Sequence, residues 1–520
     1  MAKTSVKGLD PPVRLLDLYL PEPAPGDNRS YEARLRSAAE QTLGARPHIP
    51  LLTLQRLGRL LMERRYHVEA VAVDGPCGWE FCRTLPKGEG VGPPLGLAID
   101  LGSTTVVFYL VNMISGIVLQ TLSMANPQRS HGEDILDRII FAGMGDGLAV
   151  LRKEIIGLFN STISEMGCAA HIYFIAIAGN TTMCHLLLGL EPGHICKAPY
   201  LPLANGFDIF SADELGIKVH DRAKVYVFPN IGSYFGGDLL AGIAAAGMHT
   251  HDEISMLIDV GTNAEVVLGN KDWLIACSGA AGPALEGGVL SCGMMAGPGA
   301  IERVFIDRET LRPSYKTIAG KPPIGICGSG IIDLLSALFL AGLVDRTGKL
   351  VLTKAEERMK EISGEWAYIL ADEKETGHGR PIYISQSDIK NLIRSKAAMY
   401  TILNVVASSI GIGFEDISTF YVAGAFGNYI DPKNAVAIGM LPDVPIERYK
   451  GIGNSAGQGA VEVLRRRTVR QEVEKIREKI TYLEMNVRED FMNQLTAALF
   501  LPHTDMERFP SVKALLQKRI

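Results

Sequence analysis

Residues 95–100, LGLAID, form a short and almost wholly apolar run, which predicts a buried strand. Leu101-Gly102-Ser103-Thr104-Thr105 turns the chain, and residues 106–111 predict the return strand. Ser115-Gly116 makes a second turn before a third strand at 117–122. The same layout recurs further on. Residues 256–259 predict a strand, Gly261-Thr262-Asn263 a turn, and 265–268 the return. Asn270-Lys271-Asp272 then turns into a third strand at 273–277. The repeat is a meander of three strands rather than a matching word. In each copy the first strand ends in an aspartate, Asp100 or Asp259, with a glycine two positions later.

Outside the repeat, residues 1–92 predict a small α+β domain. Its strands fall at 15–20 and 67–73 and its helices at 31–43 and 51–65. A Gly- and Pro-rich stretch at 86–94 reads as a linker. Residues 93–520 form the main body, with a first half at about 95–250 and a second at about 254–467. The tail, 468–520, holds a charged helix and then an apolar strand-and-helix pattern that packs back on the body. The longest apolar stretch, 331–344, contains Asp333 and is too short to span a bilayer.

Composition narrows the classes. The chain has 520 residues, a formal charge of −5 and 47% hydrophobic residues, enough for several buried cores. Mild acidity argues against general nucleic-acid binding. The basic runs Arg465-Arg466-Arg467 and 475–479 read as solvated helix faces. The opening residues lack the apolar core of a signal peptide, so a cytoplasmic protein is expected. Eight scattered cysteines fit reduced thiols. They match neither the C-x2-C-x2-C nor the C-x4-C-x2-C spacing of ferredoxins, so no iron–sulfur cluster is expected on this chain. Cys77 and Cys82 read as partly buried thiols rather than metal ligands.

The repeat has a chemical reading. Gly102 and Gly261 let the backbone approach a phosphate closely. Backbone N–H groups in such a turn make an anion-binding concavity. Ser103, Thr104, Thr105, Thr262 and Asn263 add polar side chains. Asp100 and Asp259 cannot bind phosphate directly, because like charges repel. They can hold Mg²⁺, through water, and the metal bridges to the phosphates.

With these loops the chain resembles the acetate and sugar kinase/Hsp70/actin superfamily of ATPases. The resemblance implies an α/β fold of two RNase H-like subdomains with a nucleotide cleft between them. Residues 175–179 with Asn180-Thr181-Thr182 look like the first connecting segment, and Gly453-Asn454-Ser455-Ala456 like the second. Tyr421 to Gly427 looks like the adenosine loop, bringing Gly424, Ala425, Phe426 and Gly427 to the nucleotide; it reads Gly-Ala where Gly-Gly is commoner. Further segments resemble one branch, the ATPase part of reductive activators of corrinoid proteins: NPQ at 126–128 followed by HGEDILDRI, AGNTTMCHLLLG, PNIGSYFGGD, LSCGMMAGPGAIE, ICGSGIIDLL, VAGAFGNYIDP and TAALFLPHTD. That branch uses ATP and Mg²⁺ to drive an electron onto the cobalt of a partner corrinoid protein, returning Co(II) to Co(I). The electron would come from a separate ferredoxin-type protein. Homodimerisation is left open.

Roles follow from the resemblance. Asp100 and Asp259 are expected at Mg²⁺, and Asp238 as a base or water orienter, with a helix N-cap as its ordinary alternative. Asn180 and Asn454 are expected near the nucleotide, with helix capping the alternative for Asn180. The Gly- and Met-rich stretch 287–299 is expected to face the partner through Ser291, Cys292, Gly293, Met294 and Met295. Cys327-Gly328-Ser329-Gly330 reads as an anion site or as a plain helix start. A small-molecule kinase, with Asp238 as base, and a non-enzymatic assembly or chaperone role are the competing functions.

Overall fold

The computed structural model describes residues 8–63, 66–86, 92–233, 235–261, 263–280, 282, 289–483 and 491–517. The chain divides into two compact units. One is Met1–Ala245 with Ser455–Glu478; the other is Ala246–Asn454 with Lys479–Ile520.

The first unit opens with an antiparallel sheet of β1 (Val13–Tyr19), β2 (His67–Gly75) and β3 (Gly78–Pro86). Helices α1 (Tyr31–Leu43) and α2 (Leu51–Glu63) lie between β1 and β2 in sequence. Leu16 and Leu18 alternate with outward residues along β1, the period-two pattern of a half-buried strand, and join Leu35, Ala39, Leu57 and Trp79 in a small core.

The main sheet of this unit contains β4 (Leu95–Leu101), β5 (Thr105–Asn112), β6 (Val118–Ala125), β7 (Ile172–Gly179), β8 (Phe210–Ser211) and β9 (Lys224–Val227). Their order is β6-β5-β4-β7-β9-β8. The meander β4-β5-β6 is antiparallel, while β7 and β9 run parallel to β4. β7 is buried along its whole length because it lies inside the sheet with both faces covered, whereas β6, further out, is largely exposed. Helices α3 (Ile135–Ala142), α4 (Gly147–Met166), α5 (Thr181–Leu188), α6 (Ala212–Leu215) and α7 (Gly237–Ala246) complete the unit's first stretch.

The second unit repeats this plan. Its main sheet holds β10 (Ser255–Val260), β11 (Asn263–Gly269) and β12 (Leu274–Ala280) as the antiparallel meander. Two small sheets follow: β13 (Ala300–Ile306), β14 (Pro313–Thr317) and β15 (Gly325–Ile326), then β16 (Met359–Ile362), β17 (Glu365–Ala371) and β18 (Ile382–Ser385). Helices α8 (Gly328–Ala341) and α9 (Gln386–Ser408) carry the largest core. β19 (Thr419–Ala423) and β20 (Tyr449–Gly453) then add parallel to β10. α10 (Gly424–Tyr429) and α11 (Pro432–Ala437) lie between them in sequence. Leaving out the edge strand β8 of the first sheet and the later edge strand β21 (Ile480–Tyr482) of the second, and counting each meander's first strand as one, both main sheets run three, two, one, four, five.

The chain passes to the second unit after α7 and returns in α12 (Ser455–Arg465) and α13 (Val469–Lys479). Within the first unit α12 packs on β4 and β7. It also meets α7 so closely that a Cβ on Gly459 would lie 2.1 Å from the Ala241 carbonyl oxygen. Within the first unit, α7 and α12 are thus clamped together at a glycine. β21 (Ile480–Tyr482) joins β12, and α14 (Phe491–Ala498) and α15 (Pro510–Gln517) finish the chain.

Arg465–Arg467 do not form a solvated face. Arg465 Nε donates to the Gly116 carbonyl at 2.8 Å, and Arg467 Nε to Asp10 at 3.0 Å. Arg470 pairs with half-buried Asp74 at 2.5 Å. Trp79 is sandwiched between the guanidinium groups of Arg14 and Arg467, at 5.2 and 5.4 Å from its ring centre. Glu80 takes Arg222 at 2.9 Å and Lys224 at 3.2 Å. Sequence periodicity places charges on a helix but cannot say which other part of the chain covers them.

Candidate functional site

The first loop follows β4. Asp100 sits near the strand's end, opposite Val107 of β5 and Ala178 of β7. The turn beyond it is held from one side. Asn126, almost fully buried, donates through Nδ2 to the Gly102 carbonyl at 2.9 Å, and its backbone N–H donates to Thr104 O at 2.9 Å. Buried Arg138 of α3 donates through Nη2 to the Ser103 carbonyl at 2.7 Å. Three successive carbonyls are therefore turned toward Asn126 and Arg138. In a trans peptide the N–H opposes the C=O, so the N–H groups of Ser103 and Thr104 turn to the opposite side. A Cβ on Gly102 would lie 2.5 Å from the Thr105 carbonyl oxygen, which leaves glycine as the residue this turn accepts.

Asn126 and Arg138 carry no role in the sequence reading, although both lie in quoted segments. The available signal was an arginine inside the apolar octet ILDRIIFA. Arg138 also donates to Gly132 O at 3.0 Å, and burial pushes its guanidinium below its usual range.

Asn180 and Asp238 come to the same edge of the sheet. Leu101 is level with Gly179 in the parallel register of β4 and β7. Asn180 follows, and its side chain caps α5 by accepting from Met183 N at 2.9 Å. A Cβ on Gly236 would lie 2.3 Å from Asn180 Cα and 2.6 Å from Asp238 Oδ1. That approach brings the start of α7 onto the end of β7. Asp238 is not the N-cap but lies inside the first turn of α7, where its Oδ1 accepts from Leu239 N at 2.9 Å. The first loop, Asn180 and Asp238 therefore gather at the C-terminal ends of β4 and β7, where a parallel sheet opens its crevices.

The second unit has the matching junction. Asp259 of β10 is level with Glu265 of β11 and Ala423 of β19. Gly424, with φ of 77°, comes so near that a Cβ would lie 3.2 Å from Asp259 Oδ1. Gly427 packs on the Val422 carbonyl, where a Cβ would fall at 1.9 Å. Residues 424–427 begin α10, and both glycines are used in joining strand to helix. Asn454 follows β20 and directly precedes α12. Gly261 stands after β10 and Asn263 begins β11. Thr262, Gly287 and Gly288 lie outside the described residues, as do the side chains of Asn263, Ala425 and Phe426.

The stretch expected to face a partner is tied to its own unit. Ser291 is exposed, and its backbone N–H donates to Asp388 at 3.0 Å and its hydroxyl at 3.3 Å. The Cys292 carbonyl accepts from Ile326 N at 2.8 Å, and Met294 N donates to Ile326 O at 3.0 Å. Gly293 bridges to Ile326, while Met295 projects at 61% exposure and Val289 at 50%. Cys327 N-caps α8 without a side-chain capping bond; its thiol donates to Ile301 O at 3.3 Å. Cys82 is buried, and its thiol is pushed up to about 12 by burial, so it stays protonated; Cys77 is exposed.

Both halves fit a magnesium-bound phosphate chain. Each offers a carboxylate at a strand end, a hard oxygen ligand for Mg²⁺. In the first half the N–H groups of Ser103 and Thr104 lie opposite three tethered carbonyls, as an anion requires. Among the described residues no three His, Cys, Asp or Glu side chains are grouped to hold a metal. Magnesium held here would take its other ligands from phosphate and water.

Two sheets of one strand order, each with an aspartate and a glycine turn after its first strand, define the class: two RNase H-like units of the kind shared by sugar kinases, actin and Hsp70. Comparison with known proteins narrows the class. Residues 253–513 match the family model for the C-terminal domain of RACo, the ASKHA domain, and residues 95–251 match the RACo middle region. The chain belongs to this family of corrinoid-protein activators. It is 34% identical over 389 residues to the corrinoid activation enzyme RamQ of Eubacterium limosum, covering 72% of this chain and 65% of that one. It is 26% identical over 436 residues to a [Co(II) methylated amine-specific corrinoid protein] reductase of Methanosarcina barkeri, covering 76% of this chain and 75% of that one. A solved reductive activator for corrinoid, iron-sulfur protein superposes with a TM-score of 0.88 at 39% identity, over 97% of this chain and 81% of that one.

Proposed function

We propose that this protein binds and hydrolyses ATP to support the return of a partner corrinoid protein from Co(II) to Co(I). The observation that carries the proposal is the pair of equivalent strand-end aspartates, Asp100 and Asp259, in a member of the corrinoid-activator family. Each unit carries one phosphate loop. Magnesium, when bound, neutralises phosphate charge and polarises the bond to be broken. Ser103 and Thr104 hold phosphate oxygens through backbone N–H groups and hydroxyls. Asp238 orients the attacking water. The reaction is then mainly positioning and charge stabilisation, with little covalent chemistry asked of the protein.

Cobalt gains one electron in going from Co(II) to Co(I), and ATP with water gives ADP and phosphate. We infer that a ferredoxin-type iron–sulfur centre gives the electron; the cysteines in these residues do not have ferredoxin spacing. We place the reaction in the cytoplasm. All eight cysteines are unpaired thiols, and no helix among the described residues is long and apolar enough to cross a membrane.

The test is steady-state phosphate release with and without purified Co(II) corrinoid proteins, together with a low-potential iron–sulfur donor. Stimulated hydrolysis with growth of the Co(I) absorption band is the expected result. Phosphate transfer to a small metabolite, without stimulation by any corrinoid protein, would assign the chain to the kinases instead.

A further inference from the structure

Helix α3 buries Ile139 but leaves a second apolar face uncovered. Its one cation, Arg138, is fully buried and grips the Ser103 carbonyl of the loop after β4. Two of its large apolar side chains point outward: Leu136 is 53% exposed and Ile140 57%, with Met144, in the turn after the helix, at 60%. The spacing of four places all three on one stripe. Single exposed apolar residues need no explanation, but a contiguous stripe on a helix that hides its arginine does. The stripe is held firmly. The His131 ring stacks on Phe141 at 4.3 Å, and a Cβ on Gly147 would lie 2.0 Å from the Phe141 carbonyl oxygen, which packs the Met144 turn on the helix end.

Charge indicates what covers the stripe. The exposed charged side chains from 129 to 146 are Glu133, Asp134, Asp137 and Asp146 against Arg129 alone. A second copy of the same face would set carboxylates against carboxylates, a pairing that like charge disfavours. An apolar surface rimmed by lysine or arginine fits it. We propose that the outer face of α3 is the docking site for such a surface on the corrinoid protein, a step that rests on the function proposed above. Docking there bears on the helix whose Arg138 holds the Ser103 carbonyl, so partner binding and the loop after β4 share one element.

The test compares wild type with Leu136→Glu/Ile140→Glu and with Met144→Glu alone. Readouts are the Kd for a Co(II) corrinoid protein that stimulates the wild type, basal and stimulated ATP hydrolysis, and sedimentation velocity. These side chains are exposed, so basal hydrolysis should be unchanged. The double variant should bind the corrinoid protein about tenfold or more weakly, as for anchors at an interface centre, and lose stimulation. Met144→Glu should weaken binding in the same direction. Equal binding by wild type and variants would overturn the docking site while leaving the ATPase proposal intact. Wild type that dimerises and becomes monomeric in the double variant would also overturn it, in favour of a second copy. Failure of every corrinoid protein to bind wild type would remove both proposals.

Discussion

At the scale of single residues, the phosphate loop depends on side chains that never reach the phosphate. Asp100 and Asp259 stand at equivalent strand ends, and on the role proposed for them replacing either with Asn should lower the rate of ATP hydrolysis by about 100-fold or more, since the proposed metal ligand is lost at constant size. Phosphate release within roughly threefold of wild type would remove them from the metal. Arg138 acts one step back. Arg138→Met withdraws the donors that hold Ser103 O and Gly132 O, leaving both carbonyls to find other partners. The expected cost is about 2 kcal/mol of stability and a weaker nucleotide Kd, read by calorimetry and thermal melting. Arg138→Lys should restore the charge but not both bonds, because lysine lacks the planar fork. Arg138 was not recognisable from its neighbours in sequence. A lone arginine in an apolar octet becomes a brace only when Ser103 is brought to it from 35 positions away.

Among the elements, the C-terminal strap shows how buried hydrogen-bond donors can be used to dock a segment. Lys396 of α9 is fully buried and donates to the carbonyls of Phe500 and of Pro502, the latter at 2.6 Å. Arg346 donates to His503 O at 2.7 Å. His503 lies beside Tyr400 and Phe509, and burial, with Arg508 and Lys396 nearby, lowers its pKa to about 4. Folding therefore holds this histidine neutral. Between the unfolded value of about 6.5 and the folded value of about 4, the unfolded chain binds more protons, so stability falls as pH drops through that window. The loss should approach about 3 kcal/mol by pH 4. The unfolding midpoint, followed from pH 8 to 4, should be flat above about 6.5 from this group, and this component should vanish in His503→Asn. An identical pH slope in that variant would show that the histidine does not contribute. Burial also pulls Lys396 well below its usual range, with the same sign at higher pH. The apolar pattern of 491–501 already indicated a helix that packs back; the lysine beneath it was invisible, because a lysine in a helix reads as solvated until its surroundings are known.

For the molecule as a whole, the small N-terminal sheet is fastened to the helices that return the chain from the second unit. Asp10 and Asp74 meet Arg467 and Arg470, and Trp79 lies between Arg14 and Arg467. The Asp74–Arg470 pair is largely shielded from water, so Arg470→Ala leaves the carboxylate only the longer contact to Arg467 at 3.8 Å. It should cost about 2–3 kcal/mol and loosen residues 10–86, seen as faster limited proteolysis there and a red shift of Trp79 emission. Unchanged proteolysis would mean that the sheet is held by its apolar contacts alone.

The sequence by itself determined the repeat. Two meanders, their aspartates and their glycine turns are local patterns of apolar and small residues, and local patterns dictate strands and turns wherever the chain later goes. It also carried enough long motifs to indicate the activator family. Tertiary structure alone decided the rest. It made 424–427 the start of a helix, with Gly424 against Asp259 and Gly427 against the Val422 carbonyl. It placed Asp238 beside Asn180 and set Arg138 under Ser103. It turned the run at Arg465–Arg467 from a solvated face into a clasp. Each of these depends on which distant residue supplies the missing donor, acceptor or counter-charge, and that pairing is a property of packing rather than of spacing along the chain.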